Sequence, residues 1–293
     1  MNLKNTFKKY IIFSFILIGF VCCNGNYNDE KKFNDFVESF NSKSDNLSFN
    51  VNRLSEDLIL QQLSETKEKL KTLRKIDITT LDKETKIDYK FIESILVGEE
   101  IENEEIQSWK KDPRDYMNFR QISTTINGPK NCEDKINYLL KYLPVVKSDL
   151  NLGVSQLKNY VPRFQELGLY MAKNSNSIFI DEINNLFVSC NSSSETNKKT
   201  ILKLSSEIIE ALNVFINFLE IDLPNKQKSS FSIGKETYNK MLKNQFLLDY
   251  TDETLWEFGW NEFNNTLDKM DELAKDINPD KTTQEILVDI KNE

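Results

Sequence analysis

The sequence predicts an all-α protein built as an elongated array of many helices, and three observations support this. Apolar residues recur every three or four positions over most of the chain, which is the spacing of one helix face. The 293 residues include only 8 Gly and 6 Pro, too few for a β-rich fold with many tight turns. No two segments alternate apolar and polar residues as a pair of strands would.

The N-terminal segment has the features of an export signal. Lysines precede an apolar stretch over residues 10–21, which is too short to span a bilayer but has the length of a signal peptide. The stretch ends at Cys22 and Cys23 and resembles a bacterial lipoprotein signal, in which a cysteine becomes the lipidated first residue. We therefore expect a signal peptide over residues 1–23 with lipidation at Cys23, or alternatively at Cys22. Ordinary secretion with two incidental cysteines and an uncleaved anchor remain open alternatives.

This segment predicts the location of the protein and one of its partners. We expect it in the bacterial cell envelope, held on a membrane through its N-terminal lipid and facing the periplasm or the exterior. The formal net charge of −8 disfavours nucleic acid as a partner, because phosphate groups attract basic surfaces.

Residues 24–44 are predicted to be a tether with a first short helix, and residues 45–293 one all-α domain. The first helix face consists of four residues: Phe33, Phe36, Val37 and Phe40. Further apolar faces predict helices from Ser55 onward and over residues 81–96. Asp112 before Pro113 is typical of a helix start and predicts a helix through Tyr116, Phe119 and Ile122.

The sequence predicts that the rest of the domain consists of helices separated by short turns and loops. Asn127-Gly128-Pro129 predicts a turn, and residues 191–194 a loop. Proline starts and apolar spacing predict the following helices: residues 133–142, 144–152, 162–173, 195–219, 234–248 and 252–277, with a short one from residue 283. Residues 178–190 form a further apolar segment, residues 224–232 a polar connection, and Thr251 a helix N-cap. Export would permit a disulfide between Cys132 and Cys190, but their spacing matches no disulfide framework, so we favour two free or buried thiols.

The residue types leave little scope for catalysis. The chain contains no histidine, the usual general base near neutral pH and the commonest metal ligand. Paired carboxylates can hydrolyse glycosides without histidine, but acidic pairs on amphipathic helices usually lie on a solvated face. The pairs considered are Glu99 with Glu100, Glu104 with Glu105, Asp271 with Glu272, and Glu253 with Glu257. We therefore predict no catalytic, cofactor-binding or metal-binding residue in this chain.

A run of aromatic residues follows Tyr250 on a single predicted helix: Trp256, Phe258, Trp260 and Phe263. At helical spacing such residues most often belong to the core. The alternative is that they line a groove or an interface.

A series of short motifs, in fixed order, resembles the bacterial domain of unknown function 885 family from about residue 50 to the end. Those in the second half are Leu223-Pro224, Gly234 with Tyr238, Thr251 to Leu255 with Gly259 and Glu262, and Asp271 to Ala274. Those upstream are Thr85 to Tyr89, Trp109 with Asp112-Pro113 and Tyr116, and Tyr142-Leu143-Pro144. Members of this family look like helical zinc-peptidase relatives. Their His-Glu-x-x-His helix lies in a C-terminal half of comparable length.

The resemblance implies that this chain corresponds to the N-terminal half of a helical metallopeptidase-like fold. No zinc ligand can be carried over, so zinc would be a cofactor only if a C-terminal half were present, which would make a zinc-dependent hydrolase or peptidase. The chain alone is then a fragment or remnant that we do not expect to be catalytic. Its further partner would be a C-terminal half-protein or a peptide ligand. Trp256, Trp260 and Phe263 are candidates for the surface that such a half would cover.

The alternative is a stand-alone helical lipoprotein that binds a ligand or a protein and has no relation to hydrolases. It predicts a closed and stable fold with no zinc requirement.

Overall fold

A computed structural model of the chain describes residues 27–41, 49–190 and 194–292. The predicted signal peptide with Cys22 and Cys23 lies outside the described residues, as does most of the predicted 191–194 loop. Within these three ranges the chain is helical almost throughout and forms an elongated array. The all-α prediction is therefore confirmed.

The first layer consists of helices α1 (Tyr27–Asn41), α2 (Glu56–Leu73) and α3 (Lys83–Glu100), the last extended by a π-helical turn, Ile101–Ile106. The helix predicted from Ser55 onward is α2, and Ser55 is its N-cap, accepting a hydrogen bond from the backbone N–H of Leu58. The three helices share an apolar core that includes Phe33, Phe36, Leu70, Leu73, Tyr89, Leu96 and Ile101.

The second layer holds the larger core and consists of five helices. These are α4 (Arg120–Asn127), α5 (Cys132–Gln156), α6 (Pro162–Lys173), α7 (Ile183–Ser189) and α8 (Glu195–Asn217). Their shared core includes Ile122, Leu139, Leu143, Leu150, Ile208, Leu212 and Phe215. Gly153 lets α5 approach α8 closely, because a Cβ atom there would lie 2.6 Å from the Phe215 ring.

Several predicted helix boundaries differ from the structure: the helix predicted over residues 234–248 ends at Gln245, and two others differ at prolines. Pro144 was expected to separate two helices, yet it lies inside the continuous helix α5. The proline removes one backbone donor, but its neighbours Leu143 and Val145 are fully buried, so tertiary packing maintains the helix. Asp112 does cap a helical start, accepting from the Arg114 backbone N–H at 3.0 Å. That start is only a 3₁₀ turn, Pro113–Tyr116, and α4 begins separately.

Two long-range features were not predicted from the sequence. Residues Asn159–Tyr160 (β1) and Gln227–Lys228 (β2) form a two-residue parallel pair, too short to leave an alternating pattern. Cys132 and Cys190 form a disulfide with their Cα atoms 5.7 Å apart, so the preference for free thiols was wrong. The start of α5 meets the end of α7 through tertiary packing, which residue spacing does not reveal.

The C-terminal part contains α9 (Lys235–Lys240), a π-helical turn (Met241–Gln245), α10 (Asp252–Ile277) and α11 (Thr283–Asn292). Thr251 is the predicted N-cap of α10 and forms a reciprocal capping box with Thr254. Only Ala274 of α10 and Ile286 of α11 are buried within these two helices. No helix in the described part of the chain is both long and apolar enough to cross a membrane.

Candidate functional site

The predicted aromatic run lies on α10, and the structure places it at the surface. Trp256, Trp260 and Phe263 expose 66%, 48% and 52% of their surface. The interpretation of these residues as core is therefore wrong, because α10 extends beyond both apolar cores. Large exposed apolar patches on soluble proteins usually mark a surface that another molecule covers.

These residues form one continuous stripe, which we call the aromatic face: Trp256, Trp260, Phe263 and Leu267. Their spacing of four, three and four residues is that of a helix that packs along another helix. The rings contact each other edge-on, with centroids 5.8 Å apart for Trp256 and Trp260 and 5.5 Å apart for Trp260 and Phe263. The edge-on contacts fix the rings in an orientation suited to a partner surface.

An open groove runs along the aromatic face. Its walls are formed by Tyr238 of α9 and, on α10, by Leu255, Trp256, Gly259, Trp260 and Phe263. Its rim carries the carboxylates of Asp252, Glu253 and Glu257. An apolar floor with a charged rim is the usual arrangement of a protein interface.

Gly259 lies in the N-terminal half of α10 and at the edge of the aromatic face. A Cβ atom added there would meet no atom within 4 Å, so no described residue requires a glycine by packing against it. Glycine in an exposed helix interior costs about 1 kcal/mol relative to alanine. The residue therefore weakens α10 without a packing benefit from the described part of the chain.

Polar contacts hold the start of α10 in place. The Asn239 side chain accepts from the Asp252 backbone N–H at 2.7 Å and donates to the Asp252 carboxylate at 2.9 Å. The donation from the Asn239 amide, together with the positive charge of Lys235, lowers the pKa of the Asp252 carboxyl. Lys235 also pairs with Glu253. The N-terminal turn of α10 is thus fixed to α9, while its aromatic face remains open.

The turn before α10 is apolar, exposed and strained. Phe246, Leu247 and Leu248 are 50%, 50% and 42% exposed, and Leu247 has a left-handed backbone with φ of 55°. That conformation costs a non-glycine residue about 1–2 kcal/mol. The Leu248 N–H donates to the Leu242 carbonyl at 2.8 Å and closes the turn. This turn leads into α10 and adds exposed apolar side chains just before its N-terminus.

Several of the carboxylates considered for catalysis serve as ion-pair or hydrogen-bond partners. Glu104 pairs with Lys67 at 2.6 Å. Glu105 accepts from Lys240 and Thr237, and the Lys240 ammonium lowers the pKa of the Glu105 carboxyl. A general acid needs a raised pKa, so this shift has the wrong direction for that role.

The described residues do not fit a zinc ion. They contain no group of three or more Cys, Asp or Glu side chains placed to hold a metal, and the chain supplies no histidine. Tetrahedral zinc sites use cysteine, histidine and carboxylate ligands gathered around one point. No step of zinc chemistry can therefore be assigned to the part of the chain that the structure describes.

A buried ion pair escaped prediction from the sequence. The Arg53 guanidinium donates to the Asp149 carboxylate at 2.6 and 3.1 Å, and the Asp149 side chain is 1% exposed. Burial raises the pKa of the Asp149 carboxyl to about 6, against the opposing effect of Arg53. Arg53 also lies against the Tyr142 ring. The pair joins the segment before α2 to the centre of α5, so we assign it a structural role.

The arrangement on α10 therefore suits the binding of another molecule. Its aromatic face offers a large apolar area, its rim offers negative charge, and its geometry suits a second helix.

Comparisons with known proteins agree with this architecture. The family described as bacterial protein of unknown function (DUF885) has a sequence model that matches residues 48–293. No curated protein matches the chain. A solved structure from Shewanella oneidensis, described as a proposed lipoprotein of unknown function, is similar with a TM-score of 0.69 and 17% sequence identity. The similarity covers 86% of this chain and 48% of that one, so this chain spans about half the length of that structure.

Proposed function

The chain belongs to the DUF885 family of bacterial proteins of unknown function, and from this we propose that it is the helical, non-catalytic half of a lipid-anchored envelope protein. A second helical half docks on the aromatic face of α10. The docked surface completes the fold, and any hydrolytic chemistry belongs to the second half.

One observation carries this proposal: Trp256, Trp260 and Phe263 lie exposed in a row on a helix that projects from the body. Burying aromatic side chains is among the largest sources of interface stability, so leaving three uncovered is unfavourable. The similar structure has about as much chain again beyond the shared part. A second helical half of that size provides an occupant for the surface.

The expected location comes from the N-terminal segment and agrees with the disulfide. A lipid on Cys23 would hold the protein on a membrane, with the helical array facing the periplasm or the exterior. The Cys132–Cys190 disulfide supports this placement, because disulfides persist in oxidising compartments such as the periplasm. The similar structure is likewise described as a proposed lipoprotein.

Site-specific photo-crosslinking in the native bacterium tests the proposal. A photoreactive phenylalanine analogue replaces Trp260 in the full chain, and cross-linked peptides are identified by mass spectrometry. A matched control places the same analogue at Val188, which is 72% exposed and lies on α7, away from α10. We expect position 260, and not position 188, to cross-link to a helical segment of a family-type second half. That half is recognised by its His-Glu-x-x-His sequence, in the same polypeptide or in another chain.

Three outcomes would contradict the proposal. They are cross-links from position 260 to a second copy of these residues, cross-links to lipid, and equal yields of the same products from both positions. Each would mean that the aromatic face is not the docking surface of a second half.

The groove beside Tyr238 favours a second candidate function, that of a stand-alone lipoprotein that binds a peptide ligand. Its length and apolar walls suit an extended or helical peptide. The same experiment separates the two functions. A short, unfolded peptide as the only cross-linked product would support the alternative and overturn the docking of a second half.

A further inference from the structure

We propose that the occupant of the aromatic face is an amphipathic helix with basic flanks that crosses α10 at Gly259. This inference rests on the proposed docking function and adds to it the chemistry and the contact point of the partner. Three features of α10 support it: the charge beside the aromatic face, the spacing of that face, and the unexplained glycine.

The charge of α10 selects the partner. Between Asp252 and Ile277 the helix carries eight carboxylates and two lysines. Among the described residues, Glu257 and Asp268 have no ion-pair partner, and both are exposed next to the aromatic face. A helix with lysine or arginine along its edges would complement them, as charges beside an apolar seam choose partners in coiled coils.

The same charge disfavours two other occupants. A second copy of this chain would bring two acidic helices together, and like charges across an interface are unfavourable. A bacterial membrane surface rich in anionic lipid would repel the acidic edge of the groove. The N-terminal lipid therefore does not imply that the aromatic face touches the membrane.

Gly259 marks the point of closest approach. It lies at the edge of the aromatic face, beside Trp256 and Trp260 in the groove wall, and no described residue fills the space next to it. Two helix axes approach most closely where a small residue lies at their crossing. A partner helix that rests on Gly259 gives the glycine a packing role and places the partner's side chains between the flanking rings.

This assignment predicts opposite effects of one substitution on stability and on binding. Gly259→Ala should stabilise α10 and slow hydrogen exchange of its amides about fivefold, since alanine is the better helix former. It should also weaken binding of the partner about tenfold, because the added methyl group separates the two helices. Gly259→Leu should abolish measurable binding. If glycine only served flexibility within α10, Gly259→Ala would not weaken binding.

The binding test uses defined probes on the full chain. The probes are two synthetic helical peptides of about 28 residues, or four heptads, with leucine at every a and d position. They differ only at the flanking e and g positions, which are lysine in one peptide and glutamate in the other. Fluorescence of Trp256 and Trp260 reports binding, while Trp109, which is 3% exposed, provides a constant background. Vesicles of phosphatidylglycerol and sedimentation of the chain alone test the membrane and self-association.

The expected result is that the lysine peptide binds and the glutamate peptide does not. The double variant Glu257→Lys with Asp268→Lys should reverse that preference. The control variant Trp256→Ser should abolish binding of both peptides. Equal binding of the two peptides, no binding of either, binding to the vesicles, self-association through the aromatic face, or unchanged affinity in Gly259→Leu would overturn the inference. If a second half still cross-links to position 260 after such a result, the proposed function stands and only the partner chemistry fails.

Discussion

Replacing Trp256 by serine should leave the chain almost as stable as before, whereas replacing a core residue should not. Trp256 is 66% exposed, and its main contact is the edge-on one with Trp260. Losing one exposed aromatic contact costs about 0.5–1.5 kcal/mol. Leu212 is fully buried between α8 and its neighbours, so Leu212→Ala should cost about 2–5 kcal/mol through lost burial and the cavity left behind.

Urea denaturation of the full chain, followed by far-ultraviolet circular dichroism, measures both changes. With an m-value of roughly 3 kcal/mol/M, Leu212→Ala should lower the midpoint by roughly 1 M and Trp256→Ser by less than 0.5 M. If Trp256→Ser lowered the midpoint as much as Leu212→Ala, the tryptophan would contribute to a core. The description of α10 as an open docking surface would then be wrong.

Three further predictions concern the body of the protein. Replacing both Cys132 and Cys190 by serine should lower the free energy of unfolding by about 4 kcal/mol relative to the oxidised wild type, because the disulfide closes a loop across a 58-residue separation. Equal stability of the variant and the wild type would contradict this. The Asp149 carboxyl should titrate near pH 6 in a ¹³C NMR pH series, and an ordinary pKa below 4 would refute the account. Because the pKa of this carboxyl is raised in the folded state, its contribution to stability is complete below about pH 4 and is lost as the pH rises through 6. Gly153→Ala should cost about 1–3 kcal/mol in thermal unfolding, because the new methyl group would overlap the Phe215 ring, and a neutral effect would show that α5 and α8 are loosely packed.

The helical fold could be predicted because its signals are local. Apolar spacing showed most helices, and the capping residues Ser55 and Thr251 lie where the structure starts α2 and α10. The predicted break at Pro144 was wrong because the rule that proline ends a helix considers only the local sequence. The burial of its neighbours on α5 outweighs the missing backbone donor.

Contacts between distant residues could not be predicted in the same way. Arg53 and Asp149 are 96 residues apart, and Cys132 and Cys190 meet only because α5 and α7 pack together. Neither pair leaves a periodic signal. In the sequence, a carboxylate that the fold buries beside an arginine cannot be distinguished from an exposed one.

The aromatic run on α10 could be recognised from the sequence, but its exposure could not, and the preferred interpretation as core was wrong. Helical spacing showed that Trp256, Trp260 and Phe263 share one side of a helix. Spacing does not show whether that side faces a core of the same chain or another molecule. The charge of α10 could have distinguished an exposed helix from a core helix. Eight carboxylates on one helix of 26 residues are unusual for a helix buried within its own chain.

Hydroxyl-radical footprinting in intact cell envelopes tests the central claim most directly. The account predicts that Trp256 and Trp260 are oxidised readily in the purified chain and are protected in the envelope, where a second half covers them. Tyr170, which is 70% exposed on α6, should be oxidised equally in both samples. Equal oxidation of the two tryptophans in both samples would show that nothing covers the aromatic face and would contradict the account.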